Sequence, residues 1–164
     1  MKNITLIGMP GAGKSTVGVV LAKKLGYNFL DSDLLIQKQE NKLLHEIITQ
    51  KGLDGFEQIE NEVNSKIETT HSVIATGGSA VYGVEAMMHL KSISTVVYLK
   101  LNYDELEERL GDLEERGVAI RPGQTLSDLY DERIPLYEKY ADITIDCMNK
   151  SIREIFLEIT LSII

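Results

Sequence analysis

Ile4-Thr5-Leu6-Ile7-Gly8-Met9-Pro10-Gly11-Ala12-Gly13-Lys14-Ser15-Thr16 joins an apolar run, a glycine-rich turn and a lysine-serine pair. Residues 8–15, followed by Thr16, match G-x-x-x-x-G-K-[ST], the phosphate-binding loop. The apolar run over 4–7 predicts a buried strand. The pattern over 15–25 predicts a helix that stops at Gly26, a residue suited to a C-terminal cap. A strand before and a helix after give the motif its physical meaning. Glycines let backbone N–H groups turn inward around phosphates, and the helix N-terminus adds partial positive charge. The expected ligand is a nucleoside triphosphate, with ATP and Mg²⁺ as the pair. Gly11, Ala12, Gly13 and Thr16 complete the cradle. Lys14 is expected to reach the β- and γ-phosphates, and Ser15 to set its hydroxyl on Mg²⁺.

Outward from this loop, short apolar runs alternate with helical patterns. Further strands are predicted over 28–30, 72–75, 95–101 and 143–145. Helices are predicted over 33–40, 43–51, 56–68, 84–90, 103–110, 126–140 and 151–162. Phe56, Ile59, Val63 and Ile67 fall on one face at helical spacing. Short buried strands joined by helices imply parallel pairing through right-handed crossovers. The fold class is therefore α/β, a three-layer sandwich with helices on both faces of one sheet. No repeat or linker divides the chain, so 1–164 reads as a single domain. The polar segment 111–125, with Gly117, Pro122 and Gly123, is the expected mobile element.

Composition narrows the partners. The net charge of −8 argues against nucleic acid and anionic membranes, since both need a basic face. No apolar run approaches the ~20 residues that span a bilayer. The chain enters its first strand with no signal peptide, so a cytoplasmic protein is expected. The single cysteine, Cys147, excludes an internal disulfide and a cysteine metal cluster, and reads as structural. An acidic protein that binds a polyanion must concentrate its positive charge. The arginines, Arg109, Arg116, Arg121, Arg133 and Arg153, all lie beyond residue 108.

Three more segments carry chemistry. Asp31-Ser32-Asp33 follows the second strand, at the sheet edge where open α/β folds bind ligands. Asp31 could approach the Mg²⁺ shell through water. Asp33 could accept a hydrogen bond from an acceptor hydroxyl and act as its base, or it could cap the following helix. Ala75-Thr76-Gly77-Gly78-Ser79 closes the third strand, where two glycines let backbone approach a ligand. Glu132-Arg133-Ile134-Pro135-Leu136-Tyr137 sets a late arginine on a helix, with no acidic residue spaced to face it.

On these segments, over essentially its whole length, the chain resembles the shikimate kinases, small P-loop kinases related to the nucleoside monophosphate kinases. The resemblance implies a five-stranded parallel sheet in the order 2-3-1-4-5, a mobile lid near 111–125 and a monomer. It implies transfer of the ATP γ-phosphate to a hydroxyl of shikimate, a step of aromatic amino acid biosynthesis. The acceptor would be held by Asp33 and Arg133, beside Gly77, Gly78 and Ser79. The family also uses a lid arginine to neutralise charge on the leaving phosphoryl group. Arg116 takes that place by a gapless count back from Arg133, and Arg121-Pro122 resembles it by its dipeptide. Arg109 then matches the other arginine on the nucleotide side. Neither lid candidate sits in the family's Arg-Pro-Leu-Leu run.

The pattern breaks in the acceptor half. Ser79 stands at the third position of a triple glycine. The family's Phe-Arg pair, whose arginine forks onto the acceptor carboxylate, is here Phe56-Glu57, with Glu60 keeping the register. An anion in place of that cation removes a strong directional contact and adds repulsion, a change on the order of 3–5 kcal/mol. Lys51 and Lys66 are the candidates to compensate. Shikimate remains the first expectation for the acceptor. The alternatives are another hydroxylated small molecule, or a catalytically weak nucleotide-binding regulatory protein.

Overall fold

In the computed structural model, which describes residues 2–110 and 120–163, the first strand, β1 (Asn3–Ile7), is buried at every position. It lies in the middle of the sheet. β2 (Asn28–Asp31), β3 (Ser72–Ala75), β4 (Ser94–Lys100) and β5 (Ile143–Asp146) complete one sheet in the order β2-β3-β1-β4-β5. Every pairing is parallel. This is the three-layer P-loop fold expected from the sequence.

The helices are α1 (Lys14–Leu25), α2 (Ser32–Glu40), α3 (Leu44–Ser65), α4 (Val84–Ile93), α5 (Tyr103–Leu110), α6 (Leu126–Tyr140) and α7 (Ile152–Ile163). The chain steps outward from β1 to β2, then back across the sheet. Right-handed crossovers therefore put α1 on one face and the helices that follow β2 and β3 on the other. The packing of α1 with α7, and of α3 with α4, agrees with this. Glycine makes α1 fit closely. A Cβ on Gly18 would stand 2.7 Å from Phe29 Cε1 of β2. Gly26, with φ +72, ends α1 and returns its N–H to Ala22 O.

Two details go beyond the sequence expectations. The two helices expected over 43–51 and 56–68 are both present, broken at Gly52, with the second starting earlier than expected and ending at Ser65. They form one element, α3, that bends at Gly52, whose φ of +72 and ψ of 175 turn the axis without a loop. A 3₁₀ turn, Ala80–Tyr82, also carries the chain away from the glycines after β3. Within α3, Phe56, Ile59 and Val63 join Ile36 and Ile47 in a small core of their own between α2 and α3. Ile67 packs instead into the main core beneath the sheet. The α2–α3 pair is thus a subsidiary unit, and it forms one wall of the site.

Strand register aligns the carboxyl edge. Asp31 pairs with Ala75, and Ala75 with Leu6. Asp31, Thr76 and Gly8 therefore leave the sheet side by side, beneath the crevice where open α/β sheets take ligands. Cys147 is buried at the end of β5, and burial pushes its thiol up to about 11, which suits a structural role. No described helix is long and apolar enough to cross a membrane.

Candidate active site

The phosphate side is built from backbone. Gly8, Gly11 and Gly13 have φ of +152, +84 and +93, a region that side chains rarely adopt. A Cβ on Gly8 would also stand 2.8 Å from Leu99 O. Lys14 heads α1 and is buried. Its Nζ donates to Gly8 O at 2.6 Å and Met9 O at 2.9 Å. Burial lowers its pKa to about 8, with nearby Asp33 the largest opposing influence. Ser15 and Thr16 are exposed at the head of the helix, while Ala12 is buried beneath the loop. Arg109 reaches the loop from α5, with Nη1 donating to Gly11 O at 3.1 Å and Nε to Glu105 Oε1 at 3.1 Å. It touches the loop without lining the cavity described next. Arg116 lies outside the described residues.

A cavity of about 480 Å³ runs from the loop to the wall formed by α2 and α3. Asp31, rather than Asp33, caps α2, its Oδ1 accepting from Asp33 N at 2.9 Å. Asp33 is left free to face the cavity. Burial raises its pKa, neighbouring Asp31 adds to the effect, and Lys14 opposes it. The Gly77-Gly78 turn forms the floor. A Cβ on Gly77 would stand 2.9 Å from Glu60 Oε2 and 3.0 Å from Asp33 Oδ1. One on Gly78 would stand 2.7 Å from Pro10 Cδ and 2.8 Å from Arg133 Nη1. Tyr137 stacks on Tyr98 and donates its hydroxyl to Gly78 O at 2.7 Å, which pins the turn.

Arg133 is buried at 5% exposure. Its Nε donates to Tyr82 Oη at 3.2 Å, and the guanidinium lies 5.3 Å from that ring's centre. Among the described residues no carboxylate comes within 4.0 Å of it. A buried guanidinium with no carboxylate partner among the described residues is a strong site for an anion. Ser79 turns its hydroxyl to Glu60, donating to Oε1 at 2.6 Å. Glu60 is 2% exposed, its Oε2 has no partner among the described residues, and burial raises its pKa to about 7.

Glu57 does not point away to solvent. It lines the cavity, and Arg121 meets it across the chain, with Nη2 donating to Oε2 at 3.1 Å and Oε1 at 3.2 Å. The lysines suggested as compensation are elsewhere. Lys51 pairs with Glu40 at 3.6 Å, and Lys66 lines a separate recess beside Val63 and Ile67. The sequence reading missed Tyr82, Asp54 and Gln124, and it used Glu60 only to fix the register. Their roles come from contacts across the fold that no local motif announces. The turn signal Pro122-Gly123 was available but was absorbed into the mobile segment.

A parallel sheet in this order, with a phosphate loop after β1 and an acceptor cavity beside it, defines a P-loop kinase of small molecules. Comparison with known proteins narrows the class. The family model described as "Shikimate kinase" matches residues 10–163. A shikimate kinase from Thermodesulfovibrio yellowstonii is 39% identical, over 89% of this chain and 86% of the relative. One from Persephonella marina is 34% identical over 97% of both chains. The shikimate kinase of Acinetobacter baumannii, solved in complex with shikimate, superposes with a TM-score of 0.90 at 33% identity, covering 99% of this chain and 93% of that one. The chain belongs to the shikimate kinase family. Its activity is ATP-dependent phosphorylation of a hydroxyl of shikimate, and neither alternative reading finds support.

Proposed function

We propose that shikimate is held across the Gly77-Gly78 turn, with its reacting hydroxyl on Asp33 and its carboxylate on Arg133. One observation carries this reading. Asp33 Oδ1 comes within 3.0 Å of where a Cβ on Gly77 would stand, and Arg133 Nη1 within 2.8 Å of one on Gly78. Only a turn without side chains leaves room for a ligand between them. The acceptor oxygen then attacks the γ-phosphorus while the bond from that phosphorus to the β,γ-bridging oxygen breaks. The hydroxyl proton passes to Asp33, whose raised pKa makes it a better acceptor. Lys14 meets the charge that spreads over the phosphates, Arg109 stands beside the loop to support it, and Arg116 remains the proposed lid arginine.

The residues present also suit Mg²⁺. Among the described residues no three His, Cys, Asp or Glu side chains form a metal cage. An ion shared with phosphates needs only a hydroxyl and carboxylates reached through water. Ser15 and Asp31 would hold it. When bound, the ion neutralises charge on the transferring phosphate. The reading takes the enzyme to be a cytoplasmic monomer, and the net charge of −8 supports the absence of a nucleic-acid or anionic-membrane partner.

The test is ADP release with shikimate on Asp33→Asn. Loss of kcat on the order of 10²–10⁴ with ATP binding intact is expected for a base. A variant that keeps more than roughly a tenth of the wild-type kcat rules Asp33 out as the base.

A further inference from the structure

Shikimate carries a carboxylate, yet the cavity is not broadly cationic. Its lining sets Asp33, Glu57 and Glu60 against Lys14, Arg121 and Arg133. Lys14 belongs to the phosphate side through its bonds to Gly8 O and Met9 O. Arg133 and Arg121 remain to meet an acceptor anion.

Arg121 is positioned from both ends. Arg121-Pro122-Gly123-Gln124 is a β-turn in which Gln124 N donates to Arg121 O at 3.0 Å. Pro122 takes the second place and Gly123, with φ +79, the third, as a type II turn requires. Gln124 Nε2 donates to Glu132 Oε2 at 2.8 Å, which ties the turn to α6 one residue before Arg133. At its head Arg121 meets α3. Nη2 donates to both oxygens of Glu57 and lies 2.8 Å from Asp54 Oδ1 as an ion pair. All these contacts run through Nη2, so among the described residues the Nε and Nη1 protons of the five-donor fork are left for another partner. Glu57 is the inner anchor, with its side chain 20% exposed against 89% for Asp54. So open a pair contributes little stability by itself. What it does is fix where the guanidinium stands.

We infer that Arg121 binds the acceptor carboxylate together with Arg133, and that Glu57, with Asp54, is the positioning anchor of Arg121. The inference rests on the acceptor lying in this cavity. The anion at position 57 is then the means by which a cation enters the acceptor wall, delivered by the turn before α6 rather than by α3. Arg121 thereby leaves the nucleotide side, where its Arg-Pro pair had placed it.

Steady-state kinetics with shikimate, and with the analogue whose carboxylate is a neutral carboxamide, test the inference. Arg121→Ala raises KM for shikimate roughly 10- to 100-fold, the range for a charge-assisted contact. KM for ATP stays unchanged, and preference for shikimate over the carboxamide falls by the same factor. Glu57→Gln raises KM for shikimate several-fold in the wild-type background and has no effect in the Arg121→Ala background, because the anchor acts only through Arg121. An Arg121→Ala variant that raises KM for ATP alone, or leaves both constants unchanged, overturns the inference. Arg133→Lys separates the two layers. If it leaves KM for shikimate unchanged, the acceptor reading itself fails. If it raises that KM while Arg121→Ala does not, only the role of Arg121 fails.

Discussion

Lys14 takes both of its hydrogen-bond partners from within six residues of itself, and they are backbone carbonyls. On the acceptor side Arg121 reaches Glu57 across 64 residues, Tyr137 reaches Gly78 across 59, and Arg133 reaches Tyr82 across 51. The donor half is thus a local device that repeats wherever its eight-residue pattern occurs. The acceptor half is assembled from α2, α3, the glycine turn, the turn before α6, and α6. A local device cannot be rearranged without losing it. A dispersed one can exchange a cation on one element for a cation on another, as Glu57 and Arg121 illustrate.

The sharpest break in this contrast comes from Lys14→Ala. Removing the charge aimed at the phosphates is expected to lower kcat/KM on the order of 10³-fold, with nothing elsewhere able to substitute. Measuring the rate with added arginine or lysine variants in the acceptor half checks this. Recovery by any of them would show the donor half to be less self-contained than its geometry indicates.

A smaller effect is expected where the halves touch. A methyl group on Gly78 meets Pro10 of the phosphate loop and the Arg133 guanidinium together. Gly78→Ala therefore overpacks both sides, at about 1–3 kcal/mol. Both the shikimate and ATP Michaelis constants should rise. A rise in the shikimate constant alone would show that the loop yields and that the two halves are mechanically separate.

The last expected effect is on stability rather than on catalysis. Glu60 has its pKa raised by burial from the ordinary 4.5 to about 7, with the Ser79 hydrogen bond opposing the rise. Between those values the folded state holds a proton that the unfolded chain has lost. Stability should therefore fall as pH rises from about 4.5 through 7 and level off above. Thermal unfolding followed over that range should show the decline in the wild type and a flatter curve in Glu60→Gln. Equal curves would show that Glu60 stays charged throughout.

Much of the fold was legible. The alternation of strands and helices, the phosphate loop and the stop at Gly26 each rest on neighbours in sequence, and the structure reproduces them. Helix 56–68 was misjudged at its start, because the break at Gly52 is a single backbone angle rather than a loop. In the site, Asp33 and Arg133 were found by resemblance, but their convergence on one glycine pair was not. Glu57 stood out as an anomaly on its helix, and its partner could not be read there.

The sequence by itself determined the sheet, the donor side and the reaction class. Hydrophobic period and glycine backbone chemistry act over a few residues, so they are written in order along the chain. Only the tertiary structure decided that Asp31 caps α2 and frees Asp33, that Ser79 turns to Glu60, and that Arg121 stands against Glu57. Those are matters of which side chains meet after the sheet has brought distant segments together. Charge complementarity works through space, and sequence distance leaves no trace of it.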